Sequence, residues 1–581
     1  MLKAYMRTIK VSDYVAEFLH AQGVRHVFEL VGGMITQFVD SIYVQGNIQL
    51  ISVHHEQAAA FAADAVGRVT GVPGVAMATS GPGATNLLTG IGGAYFDSSP
   101  TVFITGQVTR SEQKGERAVR QLGFQETDIV PIATPLTKAA WRVKVPEEIP
   151  GRLAEAFRLA QSGRPGPVLL DIPMDVQSVQ IAAESPTRVM PTQSVAPDAA
   201  AIEQVLAELA AAQRPLILVG GGIRAARATE VFRGLVGRVR VPVVNSLLAM
   251  DALPYQHPQR VGMIGSYGNR WANFALAEAD YLLVLGSRLD VRQTGALTEA
   301  FKGNRTIVHV DCDVAEMNNR VKGCRAIVSD LQAFLPVALS LAAHREFPEH
   351  VDWMKQIAQL KAAWPDTREL QDMPGINPNV FMHQLSARSR AAAAYVADVG
   401  QHQMWAAQSL ELDTHQYFLT SGGMGAMGFG LPAAIGAALA CLDRPVVMIA
   451  GDGGFQLNLQ ELQTVVRNRL PLKLVILNNR CHGMVRQFQQ SYFGERYQST
   501  FWGYSAPDFA QVARAYGIAA ATVEEPSKVE QAVAEMWQDP AAPFLLQVMI
   551  DTMSNAYPKV AFGKPITEME PFAKPVEMES T

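Results

Sequence analysis

Gly451-Asp452-Gly453 and Asn478-Asn479 bracket residues 454–477, which read as a helix followed by the apolar strand Leu472 to Leu477. A Gly-Asp-Gly turn lets backbone N–H groups approach a phosphate with no Cβ in the way. The Asp452 carboxylate and the Asn479 amide oxygen are hard ligands suited to Mg²⁺. Together they form a diphosphate-plus-metal anchor at the point where a strand gives way to a helix. Taken alone, the stretch is also compatible with an ordinary strand-to-helix turn, because short Gly-rich motifs recur by chance.

Working outward from this segment, short buried-strand patterns alternate with helical ones, the signature of α/β units with parallel sheets. The first block ends in the strand Pro167 to Ile172, and a polar, Pro- and Ser-containing stretch, Ala183 to Pro197, reads as a linker. The second runs from the helix Asp198 to Ala212 through the strand Pro215 to Val219 into Gly220-Gly221-Gly222, and fades near Ala343. A charged helical connection around His344 to Glu369 leads to the third, from near Asn377 to about Asp551. The expected domains are therefore 1–182, 198–343 and 377–553, followed by a tail, 554–581, that reads as a lid or surface arm. The first and third blocks each read as a doubly wound sheet, with the ligand crevice at the carboxyl ends of the strands.

Composition narrows the function classes. The 581 residues carry a net charge of −5 and no basic stripe, which argues against a nucleic-acid partner. Four cysteines, Cys312, Cys324, Cys441 and Cys481, are too few for a disulfide framework and fit a reducing cytoplasm. The N-terminus lacks a signal pattern, and the longest apolar run, Gly428 to Leu442, is short of a membrane span.

Two further stretches carry chemistry. His54-His55-Glu56-Gln57 follows the strand Leu50 to Val53 and opens an Ala-rich helix, Ala58 to Val69. A carboxylate partly shielded at the rim of a sheet can exchange a proton with a ring nitrogen. A Glu stabilising a helix N-terminus reads the same way. The paired histidines do not suit zinc, because adjacent ligands point apart and no third ligand cluster follows. Thr79-Ser80-Gly81-Pro82-Gly83-Ala84-Thr85-Asn86 follows the strand Gly74 to Ala78, and its small residues allow a ligand or backbone to approach closely.

These stretches stand in order with Gly422-Gly423-Met424-Gly425-Ala426-Met427-Gly428-Phe429-Gly430-Leu431-Pro432, with Gly451 to Leu459, and with Gly483-Met484-Val485-Arg486-Gln487. In that order they resemble thiamine diphosphate-dependent enzymes of the acetolactate synthase type, from about Val11 to about Asp551. The resemblance implies an α/β chain of three doubly wound parallel-sheet domains: pyrimidine-binding, central and FAD-binding in type, and diphosphate/Mg-binding. It also implies an active site shared between two chains, hence a homodimer or homotetramer, and a possible small regulatory subunit.

The residue roles follow from the same resemblance. Glu56 would reach the pyrimidine N1′ of thiamine diphosphate, Gly425 would offer its carbonyl to the 4′-amino group, and Met427 would lie against the rings. Gly451, Asp452, Gly453, Gly454, Asn479 and Met484 would hold the diphosphate end. Asp452, Asn479 and the Cys481 carbonyl would ligate Mg²⁺. Phe124, Gln125 and Lys138 resemble pocket residues, and Arg288 resembles the arginine that meets the acceptor. Gly220, Gly221, Gly222, Arg292, Asp311 and Asp330 match flavin-nucleotide contacts, so FAD is an expected cofactor.

The chain also departs from the pattern. Val31-Gly32-Gly33-Met34 stands where Pro-Gly-Gly-Ala is usual, and Phe488 where the family has tryptophan. Ser266-Tyr267-Gly268 replaces Met-His-Gly, and Ser329 precedes Asp330 where Gly is expected. The expected reaction is decarboxylation of pyruvate and transfer of its two-carbon unit to a second 2-oxo acid, giving 2-acetolactate. Another ketone acceptor, such as a nucleotide-linked keto sugar, is the alternative. A pyruvate oxidase or decarboxylase is a lesser one.

Overall fold

The computed structural model describes residues 6–192, 197–442 and 444–577. It contains three six-stranded parallel sheets. In the first, the strands lie in the spatial order Gln49–Ser52, His26–Leu30, Gly74–Ala78, Thr101–Gln107, Pro167–Pro173, Ala139–Arg142. In the third, the order is Tyr417–Thr420, Ala394–Ala397, Val446–Gly451, Leu472–Asn478, Phe544–Met549, Ala519–Val523. Both run second, first, third, fourth, sixth, fifth in chain order. The middle sheet runs Arg260–Met263, Val243–Asn245, Pro215–Val219, Tyr281–Leu285, Thr306–Asp311, Arg325–Val328. That is third, second, first, fourth, fifth, sixth, the doubly wound order of dinucleotide-binding folds.

Helices on both faces explain why the central strands read as unbroken apolar runs. Every residue of Thr101–Gln107, Tyr281–Leu285 and Leu472–Asn478 is buried. Gly74–Ala78 and Pro215–Val219 begin and end where the sequence places them.

By internal contacts the chain divides into two compact units. One holds residues 1–193, 421–443 and 458–470; the other holds 194–420, 444–457 and 471–581. In the first unit the helix Glu56–Thr70 packs on the helix Gly430–Ala440. Their small residues set the separation: a Cβ on Gly436 would run into the Ala62 carbonyl. This accounts for both the Ala-rich helix and the long apolar run, which is a buried helix.

In the second unit the middle and third sheets are linked by the helix Val351–Ala363, within the charged connection expected there. The tail is corrected by the structure. Lys559–Val560 and Met569–Glu570 form a small antiparallel pair, and the Val560 N–H donates to the Ser266 carbonyl at 2.7 Å. Val560, Ile566 and Met569 are buried in one cluster with Leu216, Trp271 and Val284 of the middle domain. The described tail is thus anchored on the middle domain through these three residues rather than lying free as a lid or surface arm, while Phe562 and Phe572 remain exposed. Three apolar residues spread over ten positions and separated by turns have no period for a sequence reading to detect. No helix among the described residues is long and apolar enough to cross a membrane.

Candidate active site

In doubly wound sheets ligands sit at the carboxyl ends of the strands, where the strand order reverses. In the first unit that reversal lies between His26–Leu30 and Gly74–Ala78, and the residues following those strands are Val31 to Met34 and Thr79 to Gly83. Beside them, the strand Gln49–Ser52 leads into Glu56, the first residue of its helix. Glu56 is buried, and its Oε2 accepts from Asn86 Nδ2 at 2.9 Å. Its Oε1 lies 3.1 Å from where a Cβ on Gly83 would stand. The helix N-cap is His55, whose Nδ1 accepts from the Gln57 N–H at 3.1 Å. Glu56 is therefore not needed as a cap.

Ser80 Oγ is buried with no hydrogen-bond partner, which in a folded protein marks a group awaiting one. In the same unit the turn Ser421 to Gly428 is tied down at both ends. The Gly422 and Gly423 N–H groups donate to Asp97 at 2.9 and 2.6 Å, and the Ala426 N–H to Ser421 Oγ at 3.1 Å. Gly425 has φ +65°, a conformation that turns its carbonyl out of helical register and disfavours any side chain. Met427 follows on the same turn and is partly buried.

In the second unit the reversal lies between Ala394–Ala397 and Val446–Gly451. Asp452 begins the short helix Asp452–Phe455, and its Oδ2 accepts from Tyr504 Oη at 3.0 Å. Burial pushes the Asp452 carboxyl up to about 6, against hydrogen bonds from Tyr504 and from backbone N–H groups including those of Gly453 and Cys481. A cation beside it would hold it ionised. Asn479 Nδ2 donates to Gln401 Oε1 at 3.1 Å, which turns its Oδ1 to the other side. Burial pushes the Cys481 thiol up to about 11, and Sγ is spent on the Thr552 carbonyl at 3.6 Å. The backbone carbonyl of Cys481, not its thiol, is the oxygen such a set can use.

A Cβ on Gly453 would come within 2.6 Å of His482 Nδ1, so a side chain here would collide with that imidazole. Gly454 likewise packs against Asp398. Met484 lies partly buried in the first turn of the helix Gly483–Tyr492.

Gln401 and His402 are functional candidates that the sequence reading passed over. They open the helix that follows Ala394–Ala397, across the switch point from Asp452. Burial pushes the His402 imidazole down to about 3, so it is neutral, and its Nε2 is buried with no partner. The available signal was a run of polar residues, Gln401, His402 and Gln403, directly after a glycine that lies shortly beyond a strand. Tyr504 was also missed, since nothing around it in the chain marks it.

The remaining candidates divide. Lys138, expected in a substrate pocket, donates through Nζ to the carbonyls of Leu159, Ser162 and Arg164 at 2.6, 2.6 and 2.8 Å. The ammonium thus closes the end of the helix Ile149–Gln161 and is committed to structure. Phe124 is 80 % exposed, and Gln125 (φ +64°) lies against Gly81 of the Thr79–Asn86 loop. Phe488 is 39 % exposed, on the helix Gly483–Tyr492, with its ring 4.7 Å from that of Tyr492. On the same helix Arg486 is buried and bonded to the Met553 and Ser554 carbonyls and to Asn555, fixing the start of the tail.

In the middle domain Gly220 to Gly222 follow Pro215–Val219 at that sheet's own switch point. A Cβ on Gly220 would overlap the Gly286 carbonyl, so these glycines let two strand ends meet. Arg288 pairs with Asp290 at 3.4 Å, Arg292 is exposed, and Asp311 is buried at the end of its strand. Asp330 caps the helix Leu331–Ala343. His309 Nδ1 is buried there without a partner.

Comparison with known proteins identifies the domains. The N-terminal, central and C-terminal domain models of thiamine pyrophosphate enzymes match residues 9–132, 202–337 and 398–548. The chain is 41 % identical over 562 residues to the acetolactate synthase isozyme 2 large subunit of Escherichia coli (strain K12), covering 96 % of this chain and 98 % of that one. It is 39 % identical to the acetolactate synthase large subunit of Parasynechococcus marenigrum (strain WH8102), over 97 % of this chain and 91 % of the relative. The large subunit of Lactococcus lactis subsp. lactis (strain IL1403) is 37 % identical, over 96 and 95 %. With similarity of that depth over nearly its whole length, and with polar residues gathered at the switch points of two like-ordered sheets, the chain belongs to the thiamine pyrophosphate enzymes, in the group of acetolactate synthase large subunits.

Proposed function

We propose that the protein is a thiamine diphosphate-dependent carboligase that decarboxylates pyruvate and joins the two-carbon unit to a second 2-oxo acid, giving 2-acetolactate. The observation that carries the reading is the pairing, in one chain, of a buried acid braced on one oxygen only, Glu56, with an oxygen-donor set beside an orphaned neutral imidazole, Asp452, Asn479 and His402. When bound, thiamine diphosphate supplies the electron sink for the pair left by departing CO₂. Asn86 orients Glu56 so that Oε1 can hold or release a proton at the pyrimidine N1′. Gly425 offers a carbonyl to the 4′-amino group, and Met427 offers an apolar surface to the rings.

At the other end Asp452, Asn479 and the Cys481 carbonyl would hold Mg²⁺, Gly453 would offer backbone N–H to the diphosphate, and His402 Nε2 would find a polar partner there. Gly451, Gly454 and Met484 complete that wall.

Three further readings belong to the same proposal. The domains span 1–182, 198–343 and 377–553, a division supported by the three six-stranded sheets, one in each span. FAD in the middle domain is supported by the switch-point glycines, by Arg288, Arg292, Asp311 and Asp330 near the strand ends, and by the orphaned His309 Nδ1. A small regulatory subunit is supported by the relatives' designation as large subunits, and a homodimer or homotetramer belongs to the same reading. The reading is tested by mass spectrometry of the products formed from labelled pyruvate with a panel of ketones. 2-Acetolactate as the main product is expected; a branched sugar or acetate would move the assignment to the rival acceptor or to an oxidase.

Acceptor choice turns on fit, and ~1–3 kcal/mol per poorly fitted apolar group is enough for large selectivity. Phe488 is a half-exposed ring on the helix that opens beside Asn479, and it lacks an indole donor. Phe488→Trp is expected to shift product ratios toward 2-oxo acid acceptors more than it changes pyruvate decarboxylation. Unchanged ratios in competition assays would remove Phe488 from the acceptor pocket.

A further inference from the structure

Two successive backbone N–H groups in a turn form a concavity suited to an anion. At the start of the turn Ser421 to Gly428 that concavity is filled by a side chain of the same unit. Asp97 Oδ2 accepts from the Gly422 N–H at 2.9 Å and Oδ1 from the Gly423 N–H at 2.6 Å. Oδ2 also accepts from Arg68 Nη2 at 3.0 Å, and Arg68 donates in turn through Nε and Nη2 to Asp64, at 2.8 and 2.6 Å. The Asp64 and Asp97 side chains are fully buried, and Arg68 is nearly so. Burial pulls the Arg68 guanidinium down, but the two carboxylates outweigh it and hold the group charged, above its ordinary value.

The same guanidinium reaches the far end of the turn. Its carbon lies 5.4 Å from the centre of the Phe429 ring, which directly precedes the helix Gly430–Ala440. The near end is closely seated, since a Cβ on Gly423 would stand 2.7 Å from Phe96 Cβ. One buried ion cluster therefore grips both ends of a partly exposed turn whose middle carries Gly425. Three buried charges are a poor way to gain stability compared with apolar packing. Their directional hydrogen bonds do, however, fix the orientation of the backbone they hold.

We propose that Asp97 and Arg68 are positioning residues: Asp97 seats the Gly422 and Gly423 N–H groups, Arg68 fixes Asp97 and Phe429, and the turn between is held so that the Gly425 carbonyl meets the 4′-amino group of the cofactor. The inference rests on the reading of Gly425. It involves one chain's turn and that turn's own supports, whichever chain supplies the proton-exchanging acid. Neither side chain touches reacting atoms. Each acts through the turn, where a misplacement of about 1 Å can cost ~10²-fold.

The test uses the full-length protein and Asp97→Asn, which keeps the volume but removes the charge and one acceptor. In the cofactor-free state, amide hydrogen exchange read by mass spectrometry should rise ~10-fold or more in peptides covering 421–428, the change expected from losing a hydrogen bond to a charged group. Peptides of the strand Tyr281–Leu285 should not change. The second measurement compares the affinities of thiamine diphosphate and its analogue lacking the 4′-amino group, in the presence of Mg²⁺. The parent should prefer the natural cofactor by ~10-fold, the worth of one well-placed hydrogen bond, and Asp97→Asn should retain a preference of ~3-fold or less. Arg68→Lys keeps the charge but loses the planar fork, so both readouts should move the same way by less. If Asp97→Asn fails to fold, Gly423→Ala gives the same comparison, since its Cβ unseats the turn with the ion cluster intact.

Unchanged exchange over 421–428 would overturn the proposal. So would a preference for the natural cofactor that is present in the parent and undiminished in Asp97→Asn. A parent that binds both compounds equally would remove the reading of Gly425, and the positioning role with it.

Discussion

Replacing Glu56 by Gln is expected to lower carbon dioxide release by ~10²–10⁴-fold, the range supplied by a positioned general acid or base. The substitution preserves volume, and a Gln oxygen can still accept the 2.9 Å hydrogen bond from Asn86. Because His55 rather than Glu56 caps the helix, no cap is lost. The melting temperature should therefore stay near that of the parent, and the deficit should appear in kcat. What the amide lacks is a proton it can give and take at the buried rim of the sheet. Near-parental carbon dioxide release from a folded Glu56→Gln protein would remove the proton-exchange role and, with it, the functional reading of the first unit.

How far the sequence discloses this site depends on what each residue's signal is made of. The parallel strands are legible because helices cover both faces, so Pro215–Val219 and Tyr281–Leu285 are apolar at every position and bounded by polar turns. Asp452 and Asn479 each immediately follow such a strand, where a polar residue stands out against the run before it, whereas Glu56 is separated by three residues from the strand Gln49–Ser52 and stands out as a charge opening an Ala-rich helix.

His402 and Gln401 come after the strand Ala394–Ala397 in a run of polar, uncharged residues that reads as ordinary helix surface. Their importance comes from neighbours more than forty residues away in the chain, Asp452 and Asn479. Lys138 failed for the converse reason. Its residue type matched the pocket expectation, but three carbonyls at the end of the helix Ile149–Gln161 claim its ammonium. The tail failed because burial there is decided by Trp271 and Leu216, not by any period in the tail itself.

Gly483→Ala should weaken thiamine diphosphate binding at least ~100-fold, because overpacking of ~3 kcal/mol or more falls on the groups that hold the anchor in place. A Cβ at this position would overlap Gln401 Oε1 and stand 2.6 Å from Asn479 Nδ2. Those two atoms form the 3.1 Å hydrogen bond that orients the Asn479 amide, with Oδ1 accepting from the Cys481 N–H at 3.3 Å. Gln401 has little room to yield, since its Nε2 is bonded to the Ser554 carbonyl at 2.9 Å and lies 3.3 Å from Gln487 Oε1. The strain must then be relieved by moving Asn479, the helix Gly483–Tyr492, or both, and either shift displaces an oxygen donor from Asp452. Gly237→Ala is the matched control: it lies in the helix Thr229–Val239, and a Cβ there meets nothing within 4 Å. That change should leave cofactor affinity untouched and slightly raise the melting temperature, as Ala does in an open helical position. The comparison is read by fluorescence titration of each cofactor-free protein with thiamine diphosphate in the presence of Mg²⁺. Equal affinities for the two variants would show that the contact between Gln401 and Asn479 does not organise the diphosphate end, and the anchor would have to be sought elsewhere along the switch point of the third sheet.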